Sequence, residues 1–188
     1  MPTPPEILAR RDARDSRFLH VEEVDLAFSN GARRTFERLT ASGQGAVFIV
    51  AMRDADTVLL VREYGAGLDR YELGVPKGRI DPGETALQAA DRELQEEAGF
   101  GARKLTPLIT LSLLPAYMSH KAQVILAQDL YPQSRPGDEP ERLEVVPWRL
   151  SELPALLARD DVSEGRSIAA LFVAREYLAG RYQPGHPA

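Results

Sequence analysis

GRIDPGETALQAADRELQEEAGF, residues 78–100, decides how the rest of the chain is read. A loop holding Asp81, Pro82 and Gly83 runs directly into a stretch with a 3.6-residue period. Glu84 and Thr85 suit a helix N-terminus, where acidic side chains meet the positive end of the dipole, and Gly99 supplies the stop. Between those ends Leu87, Ala90, Leu94 and Ala98 form a predicted apolar stripe, and Gln88, Asp91 and Gln95 face away from it. Glu93, Glu96 and Glu97, spaced i, i+3, i+4, share one edge. Like charges at that spacing cost a few tenths of a kcal/mol per pair, so the edge calls for a counter-charge. A divalent cation suits it: Mg²⁺ takes oxygen ligands and is commonly held by one or two carboxylates together with substrate phosphates. Arg92 is placed to pair with one of the acids.

The segment also fits the pattern G-x5-E-x7-R-E-U-x-E-E-x-G-U, with U bulky and apolar, at Gly78, Glu84, Arg92, Glu93, Leu94, Glu96, Glu97, Gly99 and Phe100. On these residues the chain resembles the Nudix hydrolases, which use divalent cations to cleave nucleoside diphosphates linked to another group. The resemblance implies an α/β fold, an α/β/α sandwich with a mixed sheet, and Mg²⁺ (with Mn²⁺ as the alternative) held by Glu93, Glu96 and Glu97. Glu93 and Glu97, one turn apart, rank first, and the backbone carbonyl of Lys77 is a further candidate ligand. Arg92 is expected to orient a carboxylate, with Gly78, Glu84 and Gly99 in supporting roles. In relatives acting on ADP-ribose the catalytic base is often a glutamate in a loop after a later strand. Here that loop holds Asp138, Glu139 and Glu141; Glu139 is the expected base and Glu141 an additional metal ligand.

Composition bounds the reading. The chain has 188 residues, 44% of them hydrophobic and 27% charged, enough for one domain with a substantial core. Without cysteine it has no disulfide and no thiolate ligand or nucleophile. The opening residues, MPTPPEILARRDARDSRF, lack the apolar core of a signal peptide, and no apolar run is long enough to span a bilayer, so a soluble cytoplasmic protein is expected. A net charge of −5 argues against a nucleic-acid polymer as partner, since such binding usually rests on a basic surface. A small phosphorylated ligand needs only a local basic patch.

Residues 1 to about 17 read as an arm. FLHVEEVDLAF and RRTFERLT then read as strands joined through Ser29, Asn30 and Gly31, and Asn-Gly between such runs is a strong hairpin signal. A lone hairpin is marginal, so this one must pack on the main domain or on a second copy. Related ADP-sugar Nudix enzymes pair through an N-terminal sheet, so the resemblance favours the second copy: residues 1–40 are expected to be a dimerisation element, making a homodimer, and 41–188 the hydrolase domain. GAVFIVAMR and TVLLVREY, with continuous apolar runs, are predicted central strands. LTPLITLSLLPA, AQVILAQDL and LEVVPWRL read as further strands, and SELPALLARDD and SEGRSIAALFVAREYLAG as helices. The last helix should present Ile168, Leu171, Phe172 and Leu178 to the core and stop at Gly180.

For the nucleoside end, flat aromatic surfaces and cationic donors are needed. Arg62, Tyr64, Arg70 and Tyr71 lead towards the motif, and Tyr117, His120 and Lys121 lie in a loop before a predicted strand; all but His120 are the expected substrate contacts. Two departures from the usual ADP-ribose pyrophosphatase pattern stand out: Gly65 in place of an arginine, and Leu114-Pro115-Ala116 in place of Ser-Pro-Gly. Over nearly its whole length the chain instead resembles the branch of the family acting on adenosine diphosphate compounds. That implies hydrolysis of ADP-ribose, NADH and diadenosine di- or triphosphate with release of AMP. The alternatives are a Nudix hydrolase of another substrate, such as a GDP-sugar or a damaged nucleotide, and a non-catalytic module sensing ADP-ribose.

Overall fold

The computed structural model describes residues 19–41 and 43–185; the arm expected before them and the end of the tail lie outside the described residues. β1 (Leu19–Ala27) and β2 (Arg33–Ala41) pair antiparallel as a separate two-stranded sheet. Asn30 and Gly31 sit in a five-residue connection, 28–32, closed by hydrogen bonds from Phe28 N to Ala32 O and from Gly31 N to Phe28 O, rather than in a two-residue turn. The hairpin is tied to the main body where Leu39 N donates to Tyr117 O and Ser119 N donates to Leu39 O.

The main sheet is mixed. Its order is β5 (Arg70–Gly74), β4 (Thr57–Gly65), β3 (Ala46–Met52), β8 (Lys121–Pro132), β7 (Phe100–Ser112), with β6 (Lys77–Arg79) on β3 and β9 (Glu144–Arg149) on β4. β3 and β8 run parallel; the other pairs are antiparallel. Every residue of β3 is buried, as its unbroken apolar run demands of a strand covered on both sides. Side-chain alternation divides it between two cores. Phe48, Val50 and Met52 pack with Leu153 and Leu156 of α2 (Leu153–Leu157) and Leu171 of α3 (Gly165–Leu178), while Val47, Ile49 and Ala51 pack with Ala90 and Leu94 of α1 (Ala86–Glu97). The expected α/β/α sandwich with an N-terminal hairpin is what forms.

Several local expectations are corrected. On α1 the buried apolar positions include Ala89, whereas Leu87 is largely exposed and Gln95 is buried. The stripe is rotated because the loop 133–142 covers the Gln95 side, Arg135 N donating to Gln95 O. SELPALLARDD yields only a 3₁₀ turn, Leu150–Glu152, and the five-residue α2, with Pro154 in its first turn. On α3 Leu171 is buried and Ile168 and Phe172 pack partly buried against the core as expected, but the remaining buried positions are Ser167, Ala170 and Ala174, and Leu178 is exposed at the C-terminal end.

The β3–β4 hairpin positions the site. It pairs at only two rungs, Ala51 with Leu59 and Met52 with Val58, and then opens. β6 enters beside β3 at Ala46 to Phe48 and brings residues 77–79 under α1. Thr85 caps α1 through a reciprocal box with Gln88, and Gly99, at φ +74, takes the left-handed conformation that ends it.

Candidate active site

Arg92 is the hub of the acidic helix. Its guanidinium grips Glu84 with two donors, Nε to Oε1 at 2.8 Å and Nη2 to Oε2 at 3.0 Å. Its Nη1 reaches Glu93 at 2.8 Å and Glu96 at 3.0 Å, and Nη2 also donates to Arg79 O at 2.9 Å. Glu84 in turn accepts from Asp81 N, in the loop that precedes α1. Arg92's hydrogen bonds hold the Glu84 carboxyl below the usual range despite some burial. One guanidinium thus hydrogen-bonds three carboxylates and has a fourth, Asp81, at 3.9 Å, whereas no such pair joins it to Glu97.

Glu97 accepts from Lys77 N at 3.0 Å. The β3–β6 ladder explains this contact. Ile49 N donates to Pro76 O and Ile80 N to Gly45 O, so the bonded rungs are the odd-numbered ones of β3, and Lys77, opposite Phe48, faces away from that strand. Its N–H and C=O, which point the same way in an extended residue, both face the helix carboxylates. The Lys77 side chain pairs with Glu63. Glu93 and Glu97 are 7% and 6% exposed. Burial pushes the Glu97 carboxyl up to about 8 against the opposing pull of Lys77, and the Glu93 carboxyl up to about 7 against that of Arg92. Gly78 makes the Glu93 position possible: a Cβ there would meet the Glu93 carboxyl far inside the 3.0 Å that real Cβ atoms keep.

Among the described residues no three acids converge closely enough to hold a metal as they stand, because Arg92 and the Lys77 N–H hold them individually. The donor set nonetheless fits a hard divalent cation. Two buried carboxylates one turn apart and a third beside them line a cavity of about 600 Å³, which Lys77 also lines.

Across that cavity lies the loop 133–142. The Glu139 carboxylate packs against Gly137, where a Cβ would lie 2.6 Å from Glu139 Oε2 and 3.5 Å from Glu96 Cβ, and its charge raises the proton affinity of Glu93. Asp138 lines the same cavity. Glu141 instead accepts a hydrogen bond from Tyr71 Oη and faces a neighbouring cavity of about 530 Å³, which shares Glu96, Glu97 and Glu139 with the first.

The expected substrate contacts are mostly elsewhere. Arg62 is 7% exposed and ion-paired with Asp161 and Glu144. Alternation places it with Val58 and Leu60 on the α3 side of β4, away from the residues that line the carboxylate cavity. Burial opposes its charge, but the hydrogen bonds to Asp161 and Glu144 prevail and raise its proton affinity. Tyr71, 9% exposed, holds Glu141 and packs edge-on against the half-buried Tyr64, so the Tyr71 ring is not an open stacking surface. Arg70 is spent on Glu72 and Ser163. Tyr117 is exposed beside the hairpin, and Lys121 lines a small separate depression with His120. His120 also lines the main cavity, where burial first and the Arg166 charge second lower its proton affinity. Phe48, Glu63 and Arg166 line the cavity too. Nothing in the sequence periodicity marks them, because they come from three separate elements that meet only through the sheet.

Two family models match the chain: the NUDIX domain over residues 43–172, and the NudE-type Nudix hydrolase N-terminal domain over residues 5–38. The chain therefore belongs to the Nudix hydrolases. It is 50% identical over 177 residues to the ADP compounds hydrolase NudE of Escherichia coli (strain K12), covering 94% of this chain and 95% of that one. It is 28% identical over 155 residues to the ADP-ribose pyrophosphatase of Bacillus subtilis (strain 168), covering 81% and 82%. A crystal structure of an ADP compounds hydrolase superimposes with a TM-score of 0.81 at 49% identity, covering 95% of this chain and 96% of that one. No described helix is long and apolar enough to cross a membrane.

Proposed function

We propose that this Nudix hydrolase cleaves the diphosphate bond of adenosine diphosphate compounds, ADP-ribose, NADH and diadenosine di- and triphosphate among them, releasing AMP. The observation that carries the reading is the burial of Glu93 and Glu97, with Glu96 beside them, at the edge of a cavity faced by Glu139. The 50% identity to an ADP compounds hydrolase supports the substrate class.

Glu93, Glu96, Glu97 and the Lys77 carbonyl would hold Mg²⁺, with Mn²⁺ as a substitute. When bound, the cation neutralises diphosphate oxygens and makes a nearby water easier to deprotonate. Arg92 holds Glu93 and Glu96 in place, and its two-donor grip on Glu84 would remain if those acids served the metal. Glu139 takes the proton from the attacking water; the new phosphorus–oxygen bond forms as the bridging bond breaks, leaving AMP and the phosphorylated remainder. Glu141, held by Tyr71, is the less suitable base and stands ready as an additional ligand from the neighbouring cavity. The partner is a small nucleotide rather than a nucleic-acid polymer or a membrane, and the substrate class fits a cytoplasmic location.

The test is product analysis with ADP-ribose, NADH and diadenosine triphosphate in the presence of Mg²⁺. AMP is expected from each. Turnover confined to a nucleoside triphosphate, with pyrophosphate as product, would overturn the reading.

The same reading includes a homodimer built on residues 1–40, the remaining 41–188 forming the hydrolase domain. Leu26, Phe28 and Phe36 are 42%, 46% and 43% exposed on a hairpin outside the main sheet, with Leu26 and Phe36 on the same face by register and Phe28 edge-on to Phe36. Such an apolar face on a two-stranded sheet is what a second copy would cover. Light scattering should give twice the chain mass and Phe36→Glu should lower it; a wild-type monomer would refute the dimer.

A further inference from the structure

The cavity that holds the carboxylates runs over the top of β3 to the opposite side of the sheet. Its floor includes Ala46 and Phe48, which belong to the core beneath α3, and its far wall is Arg166, in the first turn of α3. The other cations lining it are committed: Arg92 serves the helix acids, Lys77 is paired with Glu63, and Arg79 has interactions of its own.

Arg166 differs. Its Nε donates to Glu164 at 2.6 Å and its guanidinium carbon lies 4.6 Å from the centre of the Phe48 ring. Among the described residues neither of its Nη groups has a partner. Its side chain is 22% exposed, so the guanidinium is fixed in direction by the ring beneath it and by Glu164, with one edge left open. A guanidinium held in this way has little rotamer freedom left to lose, and two adjacent N–H donors match the paired oxygens of a phosphate. Glu164 is itself committed elsewhere, accepting from Ser167 N as the cap of α3.

We infer that Arg166 is a specificity-determining residue that receives a phosphate of the substrate beyond the bond cleaved at the carboxylates, favouring compounds with a third phosphate, such as dinucleoside triphosphates, over those with two. The inference rests on the proposed hydrolysis of adenosine diphosphate compounds for the orientation of the substrate. The charge at the carboxylate end requires a cation between protein and phosphate; at the Arg166 end the protein supplies the positive charge itself.

Arg166→Met keeps an apolar stem over Phe48 while removing the donors, and Arg166→Lys keeps the charge without the paired geometry. For Arg166→Met, kcat/KM on diadenosine triphosphate should fall at least tenfold further than on ADP-ribose, mainly through KM, with Arg166→Lys recovering only part of the difference. Equal losses on the two substrates, or no loss, would overturn the inference. A second measurement does not depend on turnover: calorimetric binding of inorganic tripolyphosphate, in excess Mg²⁺, should weaken about tenfold in Arg166→Met, and unchanged binding would also overturn it. If wild-type protein released no AMP from any compound while tripolyphosphate binding still depended on Arg166, the substrate reading would fail and the anion site would stand.

Discussion

Gly78 and Glu93 occupy positions that exclude any side chain at residue 78: a Cβ there would run into the Glu93 carboxyl. Gly78 lies on β6, held to β3 by its register with Val47, and Glu93 lies on α1, held to the sheet by Leu94 and Ala90. Neither element yields easily, so the strand and the helix together fix how far the carboxylate reaches towards the cavity.

Gly78→Ala should therefore act on the site more than on the fold. The added methyl displaces Glu93 and, through their shared guanidinium, Arg92 and Glu96. Overpacking of this kind costs about 1–3 kcal/mol. A loss of 100-fold or more in kcat is expected, with the Mg²⁺ activation curve moved to at least tenfold higher concentration and the fold intact by circular dichroism. Unaltered metal dependence would mean that Glu93 is not a ligand.

The metal-free protein should lose stability as pH rises through neutrality. Glu93 and Glu97 titrate near 4.5 when unfolded but at about 7 and about 8 when buried in the folded protein. Between those values the folded state binds more protons, so unfolding becomes easier as pH increases. His120 pulls the other way only below its ordinary 6.5, and Glu84 and Asp161, whose carboxyls are depressed, complete their contribution at lower pH still. From pH 6.5 to 8.5 the loss comes to about 2–3 kcal/mol at about 1.4 kcal/mol per pKa unit, or roughly 4–12 °C in Tm. Mg²⁺ should abolish most of that slope, and Glu97→Gln should flatten it without metal. A Tm independent of pH in chelator would show that the two carboxylates are not buried as charges.

Much of this molecule is legible in its sequence, for a physical reason. Carboxylates that share one edge of a helix must recur at fixed spacings, so the acidic edge of Glu93, Glu96 and Glu97 declares itself in the sequence, and the buried central strands declare themselves by unbroken apolar runs such as residues 46–52. Substrate contacts obey no such rule. Arg62 and Glu63 are adjacent, yet Arg62 pairs with Asp161 and Glu144 while Glu63 lines the cavity with Lys77. Tyr71 reads as a stacking ring because nothing local shows that Glu141, seventy residues on, takes its hydroxyl. Periodicity misplaces Gln95 for a similar reason, since the loop that covers it follows in sequence only after two more strands.

Arg62→Met supplies a direct check on whether Arg62 acts through its buried ion pairs. The substitution removes a buried guanidinium from Asp161, which retains Arg159, and from the half-exposed Glu144. Losing one partner of a buried pair commonly costs about 3–5 kcal/mol, and the surviving Arg159 contact lowers that to about 2 kcal/mol, or roughly 4–8 °C in Tm. KM for ADP-ribose should stay within about twofold of wild type. A large rise in KM with unchanged Tm would return Arg62 to the substrate site.

Glu139 separates catalysis from binding most cleanly. It lies across the cavity from α1, close enough to Glu93 for its charge to be felt there, and outside the guanidinium network that orders the helix acids. Glu139→Gln preserves size and removes the capacity to accept a proton, so kcat should fall about 10²–10⁴-fold, the usual contribution of a general base, with Tm and metal affinity little changed. Asp138→Asn and Glu141→Gln provide the comparison: both should cost less than tenfold in kcat, and Glu141→Gln should also release Tyr71, visible as a lower tyrosine pKa because its carboxylate partner now raises it. If Glu141→Gln proves the more damaging substitution, the proton goes to the carboxylate that Tyr71 holds, and the neighbouring cavity rather than the main one contains the attacking water.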